Sequence, residues 1–186
     1  MSRIAVFLAQ GFEEIEALTV VDIARRAGID TQTVSITDSR KVVGSHDIAV
    51  EADVCIADVE FDALDMIVLP GGMPGTTNLE ACESLTAQVR AFFENKRRVS
   101  AICAAPGILG RMGLLKGRTA VCYPSVEPDL KGATIPQTEV AVDGNLITGR
   151  GMGCAIPFAL TIVEVLCGKE KAETLETGIV YRVYQS

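Results

Sequence analysis

Residues 4–9 (IAVFLA) form an apolar run with no polar residue in it, and Gly11 breaks the run. An unbroken run of that length is expected of a strand buried on both faces, which requires a sheet covered by helices on either side. The signature recurs at residues 66–69 (MIVL), ended by Pro70-Gly71-Gly72. Between such runs the spacing turns helical. Residues 13–27 carry acids in their first turn, Arg25 and Arg26 in their last, and Gly28 just after it, which are start and stop signals for a helix. Residues 30–35, 98–102 and 119–122 predict further strands. Residues 78–96 predict one long helix, and residues 104–112 a short one. Two more helices, 154–166 and 169–180, close the pattern, with Gly168 between them. Residues 40–52, containing Gly44-Ser45, and residues 140–148, containing Asp143-Gly144, predict hairpins. The Lys96-Arg97-Arg98 run reads as a solvated helix end.

Strands alternate with helices throughout, and no Pro/Ser-rich linker, charge run or internal repeat divides the chain. The expectation is one α/β domain over residues 1–186, with a mostly parallel central sheet and helices on both faces. In such sheets, sites gather at the carboxyl ends of the strands. That singles out residues 10–16, 70–75 and 102–106. The chain carries 17 Lys plus Arg against 24 Asp plus Glu, a net charge of −7. This balance argues against a nucleic-acid binder, which needs a basic face. No apolar run is long enough to span a bilayer, and residues 1–16 do not read as a signal peptide. A cytoplasmic protein is expected.

The six cysteines are Cys55, Cys82, Cys103, Cys122, Cys154 and Cys167, with no CxxC pair. Without a secretion signal they imply no disulfides. With His46 the only histidine, they do not form a zinc site. Most are expected to be small buried apolar residues.

Cys103 has a distinct setting. It stands where the predicted strand 98–102 turns into a helix, with Ala104-Ala105-Pro106-Gly107 after it. Small neighbours allow a tight turn of the nucleophile-elbow kind. Free amides and the helix dipole at such a corner lower a thiol's pKa. A buried core cysteine is the alternative, and spacing alone does not choose. Of the acids opening the first helix, Glu13 and Glu14 are expected to be exposed. Glu16 lies in register with Val20, Ile23 and Ala27, an apolar stripe. A carboxyl buried there keeps its proton to higher pH and can serve a neighbouring sulfur. The stripe does not select Glu16 by itself. Pro70-Gly71-Gly72 can present amides to an oxyanion, or be a plain turn. Residues 149–153 (GRGMG) lack the spacing and position of a dinucleotide loop and read as a turn before a helix. Arg150 within them is a charge partner for a nearby carboxylate. His46 reads as an exposed polar residue.

Several segments together resemble the DJ-1/PfpI superfamily, its DJ-1/ThiJ branch in particular: the strand followed by GFEEIE, LPGGMPGTTNL at 69–79, AICAAPGIL at 101–109, and TGRGMGCAIPFALTIVEVLCGKEKA at 148–172. The likeness covers almost the whole chain, in order. It implies a flavodoxin-like sandwich and a homodimer. It carries Cys103 over as the reactive cysteine and Glu16 as the protonated carboxyl touching it. The amides of Gly71, Gly72 and Ala104 become the cradle for an oxyanion or a sulfinate. The family is associated with cofactor-free glyoxalase activity, deglycation of methylglyoxal adducts, oxidative-stress sensing and chaperone activity. No metal or cofactor is implied, and the partners are a small aldehyde or glycated protein side chains. Two departures stand out. Where relatives carry a Thr-His-Pro histidine, this chain has Cys122-Tyr123-Pro124. Tyr123 takes the histidine's place, so a Cys-His protease triad is excluded and Glu16 must move more of the protons. His46 aligns with a position often held by Arg at the relatives' dimer contact, so it is expected to approach the partner's Cys103 pocket. The resemblance leaves two functions: a glyoxalase or deglycase working through Cys103, and a redox-sensing protein or chaperone whose Cys103 is oxidised.

Overall fold

A computed structural model describes residues 2–182; the expected domain's remaining positions, Met1 and residues 183–186, lie outside the described residues. One seven-stranded sheet organises the chain. Its strands are β1 (Arg3–Leu8), β2 (Asp30–Ser35), β5 (Val54–Cys55), β6 (Met66–Leu69), β7 (Arg98–Ile102), β8 (Val140–Asp143) and β9 (Leu146–Gly149), in the order β5-β2-β1-β6-β7-β9-β8. Every pairing is parallel except that of β8 with β9. A separate antiparallel hairpin joins β3 (Lys41–Val43) to β4 (Ala49–Glu51). The flavodoxin-like α/β expectation holds.

The first strand shows why its run has no polar residue. Ile4, Val6 and Leu8 pack on one face with α1 (Glu14–Ala27), α5 (Ala155–Cys167) and α6 (Lys169–Gly178). Ala5, Phe7 and Ala9 pack on the other with α2 (Gly75–Ala81), α3 (Glu83–Glu94) and α4 (Pro106–Arg111). Each face of the strand therefore removes apolar surface from water. Helix α1 stops where expected, at Gly28 with φ 83, whose N–H bonds the Arg25 carbonyl.

Three expectations are corrected and one strand is added. The long helix over 78–96 is two helices, because Cys82 is extended (φ −79, ψ 94) and serves as the end of α2 and the start of α3. The break lets Leu79 and Leu85 both bury. Residues 119–122 are not a strand. They make a single bridge, Thr119 to Thr134, and the Val121 N–H is bonded by the Thr148 hydroxyl oxygen. Two-residue β5 goes unseen in the sequence because it is too short to show a period. The Lys96-Arg97-Arg98 run is not simply solvated: Arg97 donates to the carbonyls of Phe61 and Leu64 and lies 3.7 Å from the Phe92 ring centroid.

Chain order places the site. From β1 the chain runs outward through β2 to β5, then returns to β6 on the other side of β1. That reversal leaves a crevice beyond the carboxyl ends of β1 and β6. The loops after β1, β6 and β7 meet there.

Candidate active site

Cys103 directly follows β7 and has φ 63. A left-handed backbone is unfavourable for a non-glycine residue and persists only where its surroundings enforce it. Here the Cys103 N–H donates to the Gly149 carbonyl at 3.0 Å, and the Cys103 carbonyl accepts the Tyr123 N–H at 2.8 Å. Both backbone groups are fixed, so the side chain is held at the corner. The elbow is present, but α4 starts only at Pro106 and has six residues.

Glu16 is fully buried on α1, beside Val20, Ile23 and Ala27 as its register requires. Its Oε2 accepts the Gly71 N–H at 2.8 Å, and the Cys103 thiol is the other polar group bonded to the carboxyl. Oε1 is buried without a hydrogen bond of standard geometry. Gly71 fits between the two side chains because it lacks a Cβ, which would stand 2.6 Å from Glu16 Oε2 and 2.7 Å from Cys103 Cβ.

The amides divide differently from the expectation. The Gly71 N–H is occupied by Glu16, so it is not free for an oxyanion. The N–H groups of Ala104 and Gly72 are the ones directed at the sulfur. Gly72 has φ 89, and a Cβ on it would meet the Glu13 nitrogen at 2.3 Å. The loops after β1 and β6 therefore approach backbone to backbone, which brings the first turn of α1 to the cysteine.

The electrostatics also correct an expectation. Burial pushes Glu16 up to about 7; the bonds from Cys103 and Gly71 oppose this, and the charge of Glu13 adds to it. Cys103 is not lowered. Burial, then the Glu16 charge and bond, push the thiol up to about 12, against the Ala104 and Gly72 amides. The anticipated helix-dipole effect is outweighed because the dipole belongs to a short helix starting beyond the corner. Glu16 and Cys103 thus act as one coupled unit, in which the carboxyl gives up its proton first.

The remaining residues fall around this pair. Glu14, expected to be exposed, is 3% exposed. Burial would raise its pKa, but hydrogen bonds from the His46 ring and backbone, with further backbone bonds, bring it to about 2. The His46 N–H lies 2.8 Å from Glu14 Oε1, and Nδ1 lies 2.9 Å from Oε2. The ring is exposed, as expected, and its pKa is raised by the Glu14 bond and by Glu13 and Glu14. No local signal reveals Glu14, since its partners lie 32 residues away. Glu13, Glu14 and His46 bring three ligand-type atoms within 4.8 Å, yet donors from His46 and Ser45 already occupy Glu14. Tyr123 is 51% exposed next to Cys103 through the backbone bond described above. Arg150 finds its carboxylate in Glu127, at 3.2 Å, which ties residues 149–151 to the 3-10 segment Pro124–Asp129 following Tyr123. Of the other cysteines only Cys122 is buried, so the general expectation of buried thiols fails. Burial and Glu127 push Cys122 up to about 11.

The model of the DJ-1/PfpI family matches residues 2–165. Protein dj-1beta of Drosophila melanogaster is 37% identical over 183 residues, covering 97% of this chain and 98% of that protein. Protein DJ-1 homolog B of Arabidopsis thaliana is 36% identical over 182 residues, 97% of this chain but 42% of that protein. The chain thus spans less than half of the Arabidopsis relatives it matches. Oxidized Toxoplasma gondii DJ-1 superposes with a TM-score of 0.93 at 35% identity, covering 97% of this chain and 99% of that one. With its sheet order, its elbow cysteine and these relatives in agreement, this chain belongs to the DJ-1/PfpI family.

Proposed function

We propose that this protein is a cysteine-dependent, cofactor-independent enzyme of glyoxalase or deglycase type, acting on methylglyoxal or its adducts in carbonyl and oxidative stress. The observation that supports it is the Glu16–Cys103 pair, a carboxyl held at about 7 against a thiol. A group titrating near the working pH is matched to proton transfer. Above about pH 7 the Glu16 carboxylate takes the thiol proton as sulfur attacks the aldehyde carbon. The S–C bond forms and the carbonyl electrons move to oxygen. The Gly72 and Ala104 amides stabilise that oxyanion, each good donor being worth ~3 kcal/mol. Glu16 passes the thiol proton to that oxyanion and, a carboxylate again, takes the proton of the former aldehyde carbon and returns it to the neighbouring carbon, while the new hydroxyl proton moves to the neighbouring carbonyl oxygen. The first carbon is oxidised, the second reduced, and a thioester results. Water cleaves it, returning the thiol and releasing the hydroxy acid. Tyr123 stands where a histidine base is absent, so Glu16 is the proton carrier.

A second reading rests on the two amides aimed at sulfur. They suit the oxygens of a sulfenic or sulfinic Cys103, and the Toxoplasma relative above is described as oxidized. In that reading oxidation alters binding to partners or a chaperone activity, without turnover. We also infer a cytoplasmic homodimer. Exposed Ile15, Leu18 and Ile48 line a groove with Ile156 and Ile179, an apolar face suited to a second copy. We infer that in this dimer His46, whose backbone N–H is bonded to Glu14 on that groove's border, approaches the partner's Cys103. Among the described residues no helix is long and apolar enough to cross a membrane.

Lactate formation from methylglyoxal decides the first reading. The wild type is expected to produce it, and Cys103→Ser and Glu16→Gln to lose it. No lactate from the wild type overturns the enzyme. Peroxide titration with intact-mass measurement decides the second, where a stable gain of two oxygens at Cys103 alone is expected.

A further inference from the structure

Six of the large apolar side chains exposed among the described residues fall into two groups. Ile15, Leu18 and Ile48 belong to the groove assigned above to a second copy. Met73, Tyr123 and Met152, at 60%, 51% and 50% exposure, lie elsewhere, on backbone segments that reach Cys103 directly or through Tyr123. Met73 follows Gly72, whose N–H is directed at Cys103. Tyr123 is bonded to the Cys103 carbonyl at 2.8 Å. Met152 follows Gly151, where a Cβ would stand 3.6 Å from the Tyr123 ring. Arg150, two residues before Met152, is turned to Glu127.

Single exposed apolar residues need no explanation, but a patch around a reactive group marks a binding surface. Methionine adapts its shape to what it covers, and tyrosine offers a flat face for stacking. Polar recognition at this mouth is left to Glu16 and to main-chain amides, which read the reacting carbonyl and not the rest of the substrate. We propose that Met73, Tyr123 and Met152 form an apolar collar that selects aldehydes bearing an aromatic or branched apolar group next to the reacting carbonyl. The inference rests on the reading of Cys103 as the attacking atom, and it names the substrate class: aryl- and alkylglyoxals before methylglyoxal.

The test uses labelling of Cys103, which needs no turnover. The thiol adds across the double bond of N-phenylmaleimide or N-methylmaleimide, and mass spectrometry reads the rate at this site. The phenyl-to-methyl rate ratio is expected to exceed that of glutathione by roughly tenfold, the effect of covering about half of a phenyl ring. Met73→Ser with Met152→Ser is expected to bring the ratio within about twofold of glutathione. Tyr123→Phe should keep it and Tyr123→Ser lower it. A wild-type ratio equal to that of glutathione, or one unchanged in the double variant, overturns the collar. Equal kcat/KM for phenylglyoxal and methylglyoxal also overturns it while leaving the enzyme intact. A high ratio with no hydroxy acid formed from either aldehyde overturns the enzyme and supports the collar. No labelling of Cys103 by either reagent overturns both.

Discussion

The Gly71 N–H donates to Glu16 Oε2 at 2.8 Å, so one backbone amide after β6 holds the carboxyl that faces the cysteine after β7. A methyl on Gly71 would stand 2.6 Å from that same oxygen and 2.7 Å from Cys103 Cβ. Neither neighbour can give way, since Glu16 is fully buried and Cys103 is fixed through both backbone groups. Gly71→Ala is therefore expected to lower stability by ~1–3 kcal/mol, the range for overpacking. It should also slow alkylation of Cys103 at neutral pH. Denaturant unfolding and site-resolved alkylation check the two effects. A variant with wild-type values in both would show that the glycine is not a spacer.

Burial holds Glu16 at about 7 in the fold against 4.5 for the free side chain. Between those values the folded protein binds the extra proton. The stabilisation is therefore complete below about pH 4.5 and is lost as pH rises through 7. The loss amounts to ~3 kcal/mol, from 1.36 kcal/mol per unit. Glu16→Gln cannot lose a proton. Its stability relative to wild type should therefore climb by about that amount between pH 5 and 8, as measured by urea unfolding at each pH. A pH-independent difference would mean that Glu16 has an ordinary pKa.

The same carboxyl should appear in the reactivity of its neighbour. In the wild type, iodoacetamide labelling of Cys103 is expected to rise through a step near 7, belonging to the Glu16–Cys103 pair. In Glu16→Gln that step should vanish, leaving a single rise above the ordinary thiol range because burial still raises Cys103. A step near 7 that survives the substitution would assign the titration to another group.

Much of this site was legible in the chain before any coordinates, and the limits have physical causes. The doubly buried β1 and the elbow at Cys103 are local: one is a run of side chains, the other a strand meeting small residues and proline. The helical register admitted Glu16 to an apolar stripe without selecting it, and the family resemblance supplied the choice. The division of labour between Gly71 and Gly72 was not, because which amide faces Glu16 depends on how two loops from distant strands close on each other. Glu14 was misread for the same reason, its donors arriving from a hairpin 32 residues away. The raised thiol was missed because the corner suggests a dipole, whereas burial and an adjacent carboxyl dominate.

Arg97 is the residue whose role differs most from a solvated charge. It donates to the Phe61 and Leu64 carbonyls and covers Phe92, joining the start of β7 to the segment before β6. Arg97→Ala takes the side-chain donor from the Leu64 carbonyl, leaves the Phe61 carbonyl with only the Leu64 N–H, and removes the cation–π contact, an expected loss of ~2–3 kcal/mol. Arg97→Lys should restore only part, since an ammonium lacks the planar fork. A loss under ~0.5 kcal/mol, typical of surface substitutions, would return Arg97 to the solvated helix end.

The homodimer is tested on the groove side of α1. Ile15 and Leu18 are 50% and 37% exposed there, with Ile48 from the hairpin at 53%. Burying that face against a second copy removes apolar surface from water, and a carboxylate placed in it opposes the contact. Sedimentation is expected to give a two-subunit mass for the wild type and a single-subunit mass for Leu18→Glu. The melting temperature should depend on protein concentration only for the former. The same pair of proteins tests His46. If its ring reaches the partner's Cys103, His46→Gln should change the pH profile of Cys103 labelling in the dimer by more than in the Leu18→Glu background. An equal change in both would place the effect within one subunit, through Glu14 and Glu13. A wild type that sediments as a monomer at all concentrations would remove both the interface and the role of His46 in it.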